Sequence, residues 1–334
     1  MLKFLFHFLK FMFIPFLLGS VIMASYFVFD PFNVVRPHDE FYFSEVGLNE
    51  DYVATERYLK QGSAGRYNAF ILGSSRAGSG FNAMHWQEKI GKDKRVFSYA
   101  ASNESIYGIY GKLRLLDEKG DSIKNVLLVI CGDFTFARTS NHSHYLFIKH
   151  PAVSKGSMKY FQESFLKAYV LTGFFVPYLD YKIFHTKRAY MNAFLKFDRP
   201  SNTTIYGAFQ AYDREEKILK NEEAYYRHTP FYERPEVIAP YGVQINAAAK
   251  VYLTDIMEIF RKHHTDYKII ISPLYDQKRM NEKDVEQLYR IFRKENVYDF
   301  SGKNEITNNK FNYYEKSHYR FHVGDSILKV IYNP

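Results

Sequence analysis

Asn68-Ala69-Phe70-Ile71-Leu72-Gly73-Ser74-Ser75-Arg76-Ala77-Gly78 opens on an apolar run and closes on small residues. The run reads as a buried strand and Gly73-Ser74-Ser75 as the sharp turn that ends it. A serine on such a turn is exposed, and a base can reach its hydroxyl. Far along the chain, Glu315-Lys316-Ser317-His318 sets a histidine three residues after a carboxylate, within one local turn. A hydroxyl, an imidazole and an acid to orient it are the parts of a serine hydrolase or acyltransferase.

Working outward, short apolar runs alternate with amphipathic stretches. Strands are expected at residues 68–72, 95–100, 125–131, 267–272 and 297–300, and helices at 83–90, 106–118, 243–263 and 283–294, with a last helix from near Val323 to Ile331. Such alternation argues for an α/β fold, a mostly parallel sheet with helices on both faces. Residues 137–240 break the rhythm. They are rich in Tyr, Phe and His, hold one apolar helix candidate at 160–178, and are too long for a simple loop. A folded insertion beside the C-terminal strand ends is expected, where ligands bind in such sheets.

Residues 11–29, FMFIPFLLGSVIMASYFVF, carry no charge. That matches the ~20 residues that cross a bilayer. Lys3 and Lys10 precede the run and Asp30 follows it. The expected topology is a single-pass membrane anchor over residues 1–30, with the N-terminus cytoplasmic and the rest extracytoplasmic, in the periplasm or at the cell surface. The run is long for a cleaved signal peptide. Residues 31–65 read as a juxtamembrane connector with a short helix at 50–61.

At 334 residues the chain can bury a large core. Aromatic residues make up 18%, 29 Tyr and 31 Phe, and core or membrane-interface packing accounts for them more simply than a sugar-lined groove. The net charge of +9 favours anionic partners. Nucleic acid is not among those expected, because the chain has no arginine-rich block, zinc-finger spacing or RNP-like motif. The single cysteine, Cys131, excludes an internal disulfide and sits in an apolar run as a core residue. No cofactor is called for.

Ser75 is the candidate nucleophile, with Ser74 its competitor. Gly73 and Gly78 have the spacing of a phosphate loop, but Ser79-Gly80 follows where Lys-Ser/Thr is required. A Gly-x-Ser-x-Gly elbow fails at Ala77. His318 is the candidate base and Glu315 its orienting acid. Metal is the weaker reading for His318 with His322, which lack an intervening Glu in the zinc-binding pattern, and for His142, His144 and His150.

A serine after the first strand and an acid-x-x-His before the last helix resemble the SGNH (GDSL-type) hydrolase superfamily. ILGSSRAGSGFN, FSYAASNESIYG, VLLVICGDFTF and YEKSHYRFHVGDSIL look like its membrane-anchored branch, over residues 66–136 and 243–332. His318-Tyr319-Arg320 with Gly324 is the most specific piece. The resemblance implies a three-layer α/β/α flavodoxin-like domain spanning 66–334, interrupted by the insertion. It also implies extracytoplasmic glycan modification, as in relatives that O-acetylate alginate or transfer D-alanine to teichoic acid. The implied partners are a polysaccharide substrate and a multi-span membrane protein that donates the acyl group. Oxyanion donors come by register from Ser75 and from Asn103, with Ser102 beside it. Gly132-Asp133 stands where active esterases carry an asparagine donor, and an ionised aspartate cannot donate; losing one donor costs ~100- to 1000-fold. Arg76, Arg320 and Asp133 are the expected contacts for the glycan.

Overall fold

The apolar runs become strands because a parallel strand, covered on both faces, must be apolar throughout. The computed structural model describes residues 2–36, 50–61, 66–138, 148–195 and 212–332. It divides into two units, one of Met1–Asn49 with Gly156–Arg199, the other of Glu50–Lys155 with Pro200–Pro334.

In the larger unit the order is α2 (Glu50–Gln61), β1 (Ala69–Gly73), α3 (Ser75–Gly80), α4 (Ala83–Ile90), β2 (Val96–Ser98), α5 (Ile106–Glu118), β3 (Asn125–Ile130) and α6 (Pro151–Ser154). There follow α9 (Tyr212–Lys220), α10 (Glu222–His228), α11 (Ala247–His263), β4 (Asp266–Ile271), α12 (Glu282–Phe292), β5 (Val297–Asp299), α13 (Glu305–Asn308), β6 (Tyr313–Glu315), β7 (His318–Tyr319) and α14 (Phe321–Tyr332). The smaller unit holds α1 (Leu2–Phe29), α7 (Met158–Leu171) and α8 (Phe175–Phe184). The five strands β1–β5 form one all-parallel sheet in the order β2-β1-β3-β4-β5. Every residue of β1, β2 and β3 is buried, whereas β5 at the edge is buried only at Val297. Asparagine and serine caps start the helices: Asn82, Ser105, Asn246 and Asn281 each accept a backbone N–H with the side chain. α11 begins at Ala247, later than the pattern suggested, because the Gln244 and Ile245 N–H groups bind the Asp284 carboxylate instead of turning into helix.

Two expectations of organisation change. Residues 31–65 do not form one connector: α2 belongs to the sheet unit, burying Val53, Ala54 and Tyr58, while Pro31 to Arg36 stay with α1. Nor is 137–240 one insertion. Of the described residues, 156–195 group with α1 and those from 212 on group with the sheet. The single helix expected at 160–178 splits into α7 and α8, because Gly173 takes a left-handed φ of 78° between them.

α2 is fastened by charge as well as by apolar burial. Lys112 Nζ lies 2.6 Å from both Asp51 and Glu104, and Lys149 Nζ lies 2.6 Å from Glu104 and 3.4 Å from Asp51. All four side chains are almost fully buried. Burial alone would raise the Asp51 pKa, but the two lysine charges outweigh it and hold it below the ordinary carboxylate range. Two acids and two bases balance, and removing one partner strands a charge. Lys112→Met should therefore cost about 3–5 kcal/mol in a denaturant titration of the full chain in detergent; a loss under about 1 kcal/mol, the range of exposed pairs, contradicts the arrangement.

Candidate active site

The turn after β1 requires glycine. Gly73 has φ 144°, and a Cβ there would lie 2.5 Å from the Val129 carbonyl oxygen on the neighbouring β3. The chain then enters α3 at once. Ser74 is the N-cap, its Oγ accepting from the Arg76 N–H at 3.2 Å, and it is buried. Ser75 is the first helical residue, half-exposed, with its N–H among those a helix start leaves unpaired. The helix that follows the serine is thus α3 and not the one near Asn82, which caps α4.

The Glu-x-x-His segment is a hairpin. Lys316 and Ser317 form its turn, and Glu315 and His318 are paired across β6 and β7, so their side chains share a face. Two glycines let this hairpin and α14 approach α3: a Cβ on Gly80 would enter the Tyr319 ring, and one on Gly324 would collide with the Gly80 carbonyl.

These placements bring Ser75, His318 and Glu315 together. Ser75 Oγ is 2.8 Å from His318 Nε2, and His318 Nδ1 is hydrogen-bonded to Glu315 Oε1. The other carboxylate oxygen, Oε2, accepts from the Ser317 N–H at 2.8 Å, and Arg214 stands 3.7 Å from Oε1. Burial would raise the Glu315 pKa, but the His318 hydrogen bond, the Ser317 N–H and the Arg214 charge together hold it below the ordinary glutamate value. An ionised carboxylate has no hydrogen to give, so Nδ1 carries the proton and Nε2 is left to accept from the serine hydroxyl.

Asn103 takes a left-handed φ of 53° in the loop after β2. The Ala101 N–H binds the Gly73 carbonyl at 3.2 Å, which ties that loop, with Ser102, to the nucleophile turn. Arg138 donates to the Asn103 carbonyl, and neighbouring Glu104 sits in the buried ion quartet.

The three expected glycan contacts are occupied by protein. Arg76 grips Asp133 with both terminal nitrogens, at 2.7 and 2.9 Å, and gives its Nε–H to the Ser317 carbonyl at 2.9 Å. Arg76 and Asp133 therefore hold the site's walls together. Arg320 turns to Glu215 at 2.5 Å and Glu222 at 3.4 Å, pinning α9 and α10 to the hairpin base, where Tyr314 Oη also reaches Glu215 at 2.8 Å. His322 bonds Asn312 at 2.9 Å while His318 faces Ser75, so the two histidines do not converge. His150 caps α6 and bonds Glu56 at 2.9 Å; His142 and His144 lie outside the described residues. Cys131 is fully buried, 3.6 Å from the Ser74 and Ser272 hydroxyls.

Sequence reading missed Arg214 and Ser317. Ser317 lies inside the motif but was not singled out; Arg214 is about a hundred positions from Glu315 and nothing local marks it. No protein-family profile matches the chain, and no curated protein sequence matches it.

A depressed carboxyl pKa means the Glu315 arm stabilises the fold fully above the unfolded value of 4.5 and loses that contribution as pH falls through the lower folded value. The Glu315 carboxyl should titrate with a midpoint below 4.5 when followed by carbon-detected NMR. A midpoint at or above that value would contradict the hydrogen-bonded arm.

Proposed function

We propose that the chain is a membrane-anchored serine acyltransferase or esterase of the SGNH (GDSL-type) kind, acting on cell-envelope polysaccharide through an acyl-serine. The observation that carries this reading is the 2.8 Å hydrogen bond from Ser75 to a His318 whose second nitrogen is held by Glu315. The sheet order supports it too, being that of flavodoxin-like three-layer folds, whose ligands sit beyond the strand ends where β1 and β3 part. Ser75 follows β1 and Asp133 follows β3, at that switch point.

In the reaction Ser75 Oγ attacks the acyl carbonyl as His318 Nε2 takes its proton. The oxyanion meets the Ser75 N–H at the start of α3 and the Asn103 N–H. Collapse breaks the bond to the leaving group, which takes the proton from Nε2. A sugar hydroxyl or water then gives its proton to Nε2 and attacks the acyl-serine; collapse breaks the acyl–Oγ bond and Nε2 returns the proton to Ser75 Oγ. α1 supports the membrane location: its Lys3–Phe29 stretch has mean hydropathy 2.0 and is long and apolar enough to span. The lysines before the run and Asp30 after it favour an extracytoplasmic catalytic domain. An acyl donor reaching that side is consistent with a multi-span membrane partner. With Arg76, Asp133 and Arg320 engaged internally, the glycan is held by other groups.

One observation favours a second reading, a protein that holds glycan with little turnover: the position of the usual amide donor carries Asp133, an acceptor locked to Arg76. Hydrolysis of an aryl acetate by the full chain in detergent separates the two. Ser75→Ala and His318→Ala should each lower kcat by at least about 1000-fold. Ser74→Ala should keep catalysis and lose only the ~1 kcal/mol of a helix cap. Hydrolysis that survives Ser75→Ala would remove the nucleophile assignment.

A further inference from the structure

We propose that the α7–α8 segment lies in the outer interface of a phospholipid bilayer beside the emerging end of α1, with Leu171, Val176, Ile183 and Phe184 set among the lipid chains. This rests on reading α1 as the membrane span, and not on the catalytic reading of Ser75.

α7 runs alongside α1 in the opposite direction. The Val34 carbonyl accepts from the Gln162 amide, the Phe32 ring lies 5.5 Å from Phe165, and Tyr26 lies 5.4 Å from Tyr169, whose hydroxyl is 2.9 Å from Ser25 Oγ. As numbers rise on α7 they fall on α1, so the Leu171 end points back along the span. Lys10 is the last charge before Asp30. A hydrocarbon core that starts after Lys10 and takes ~20 residues ends close to Asp30. Tyr26 is four residues short of Asp30, about 6 Å at 1.5 Å per residue. Tyr169 shares that level, and Leu171 lies beyond it.

The surface at this level is apolar. Leu171 is 75% exposed, Val176 55%, Ile183 65% and Phe184 61%. Val176, Leu179 and Ile183 recur at i, i+3 and i+7, one stripe of α8, while Pro177 and Tyr178 are buried and Tyr178 meets Phe29. Such a stripe on a short helix matches one lying in the interface with its apolar face ~5–10 Å deep. Cations lie beside it: Lys182, Lys187 and Arg188, with Asp180 paired to Arg188 at 3.2 Å. Lys182 Nζ is 5.6 Å from the Phe29 ring centroid, next to Asp30, which sets these cations at headgroup height. Lipid is the occupant this combination favours. The apolar patch continues the bare surface of α1 at the same depth, and the charge beside it complements phosphate.

Spin labels on full-length protein in phosphatidylcholine–phosphatidylglycerol vesicles test this. Cys131 is buried and does not compete for label. Labels go on Leu171→Cys, Val176→Cys and Ile183→Cys, on Leu17→Cys in the span, and on Val251→Cys, an exposed position of α11. The proposal expects oxygen relaxation several-fold above that of a water-soluble nickel chelate at 17, 171, 176 and 183, with the reverse at 251. Nickel-dominated relaxation at 171, 176 and 183 with oxygen-dominated relaxation at 17 overturns the proposal and leaves the span. Nickel-dominated relaxation at 17 overturns both. Labels at 171, 176 and 183 shielded from both agents place a second copy or another protein on the face, which also overturns it. Aryl acetate hydrolysis by the same vesicles reports only on the Ser75 reading.

Discussion

Arg76 joins three parts of the chain that meet at the candidate site. Its two terminal nitrogens hold Asp133, in the loop after β3, and its Nε–H holds the Ser317 carbonyl, in the β6–β7 turn. Arg76 itself follows the nucleophile turn. A planar guanidinium can make all three contacts at once only in one geometry, and a lysine point charge cannot reproduce it. The serine, the acid–histidine hairpin and the central strand are thereby fixed relative to one another. With the guanidinium side chain 10% exposed, the cost of desolvating it is recovered only while both partners stay in place.

This constraint bears on Asp133 and Glu315, the two residues that depart from the pattern expected of the sequence. An asparagine at 133 would supply a donor but would leave the buried Arg76 charge without a counter-ion. The aspartate gives up that donor and neutralises the arginine. A glutamate at 315 reaches one methylene further than an aspartate, and it stands directly opposite His318 in the hairpin. Both departures belong to one local solution, in which the hairpin is held through its turn carbonyl and its acid is braced by the Ser317 N–H and Arg214.

The sheet was legible because its signal is local. Buried parallel strands have no polar face, so Ala69–Gly73 and Asn125–Ile130 stand out as apolar runs, and α5 ends where its sequence pattern ends. The triad residues were legible for a similar reason, since Glu315 and His318 share one turn and Ser75 ends a strand. Electrostatic partners were not legible. Arg76, Arg320 and Asp133 are polar residues near a site, and sequence cannot separate a side chain that meets a ligand from one that meets Ser317 or Glu215. The same limit hid the packing of α2, though not the helix itself: Asp51 reads as a solvated charge until Lys112 and Lys149 are seen on either side of it. The split of residues 137–240 was hidden because unit membership follows tertiary packing, and a Tyr/Phe-rich helix such as α7 packs equally well against an apolar α1 or a sheet.

The central claim is that the hydroxyl hydrogen-bonded to His318 is the reactive atom. A serine-reactive phosphonate, followed by peptide mass mapping of the full-length protein, reads this directly. The account predicts one adduct, on Ser75, and much slower adduct formation in His318→Ala. An adduct on Ser74, or none on a folded protein, would contradict it.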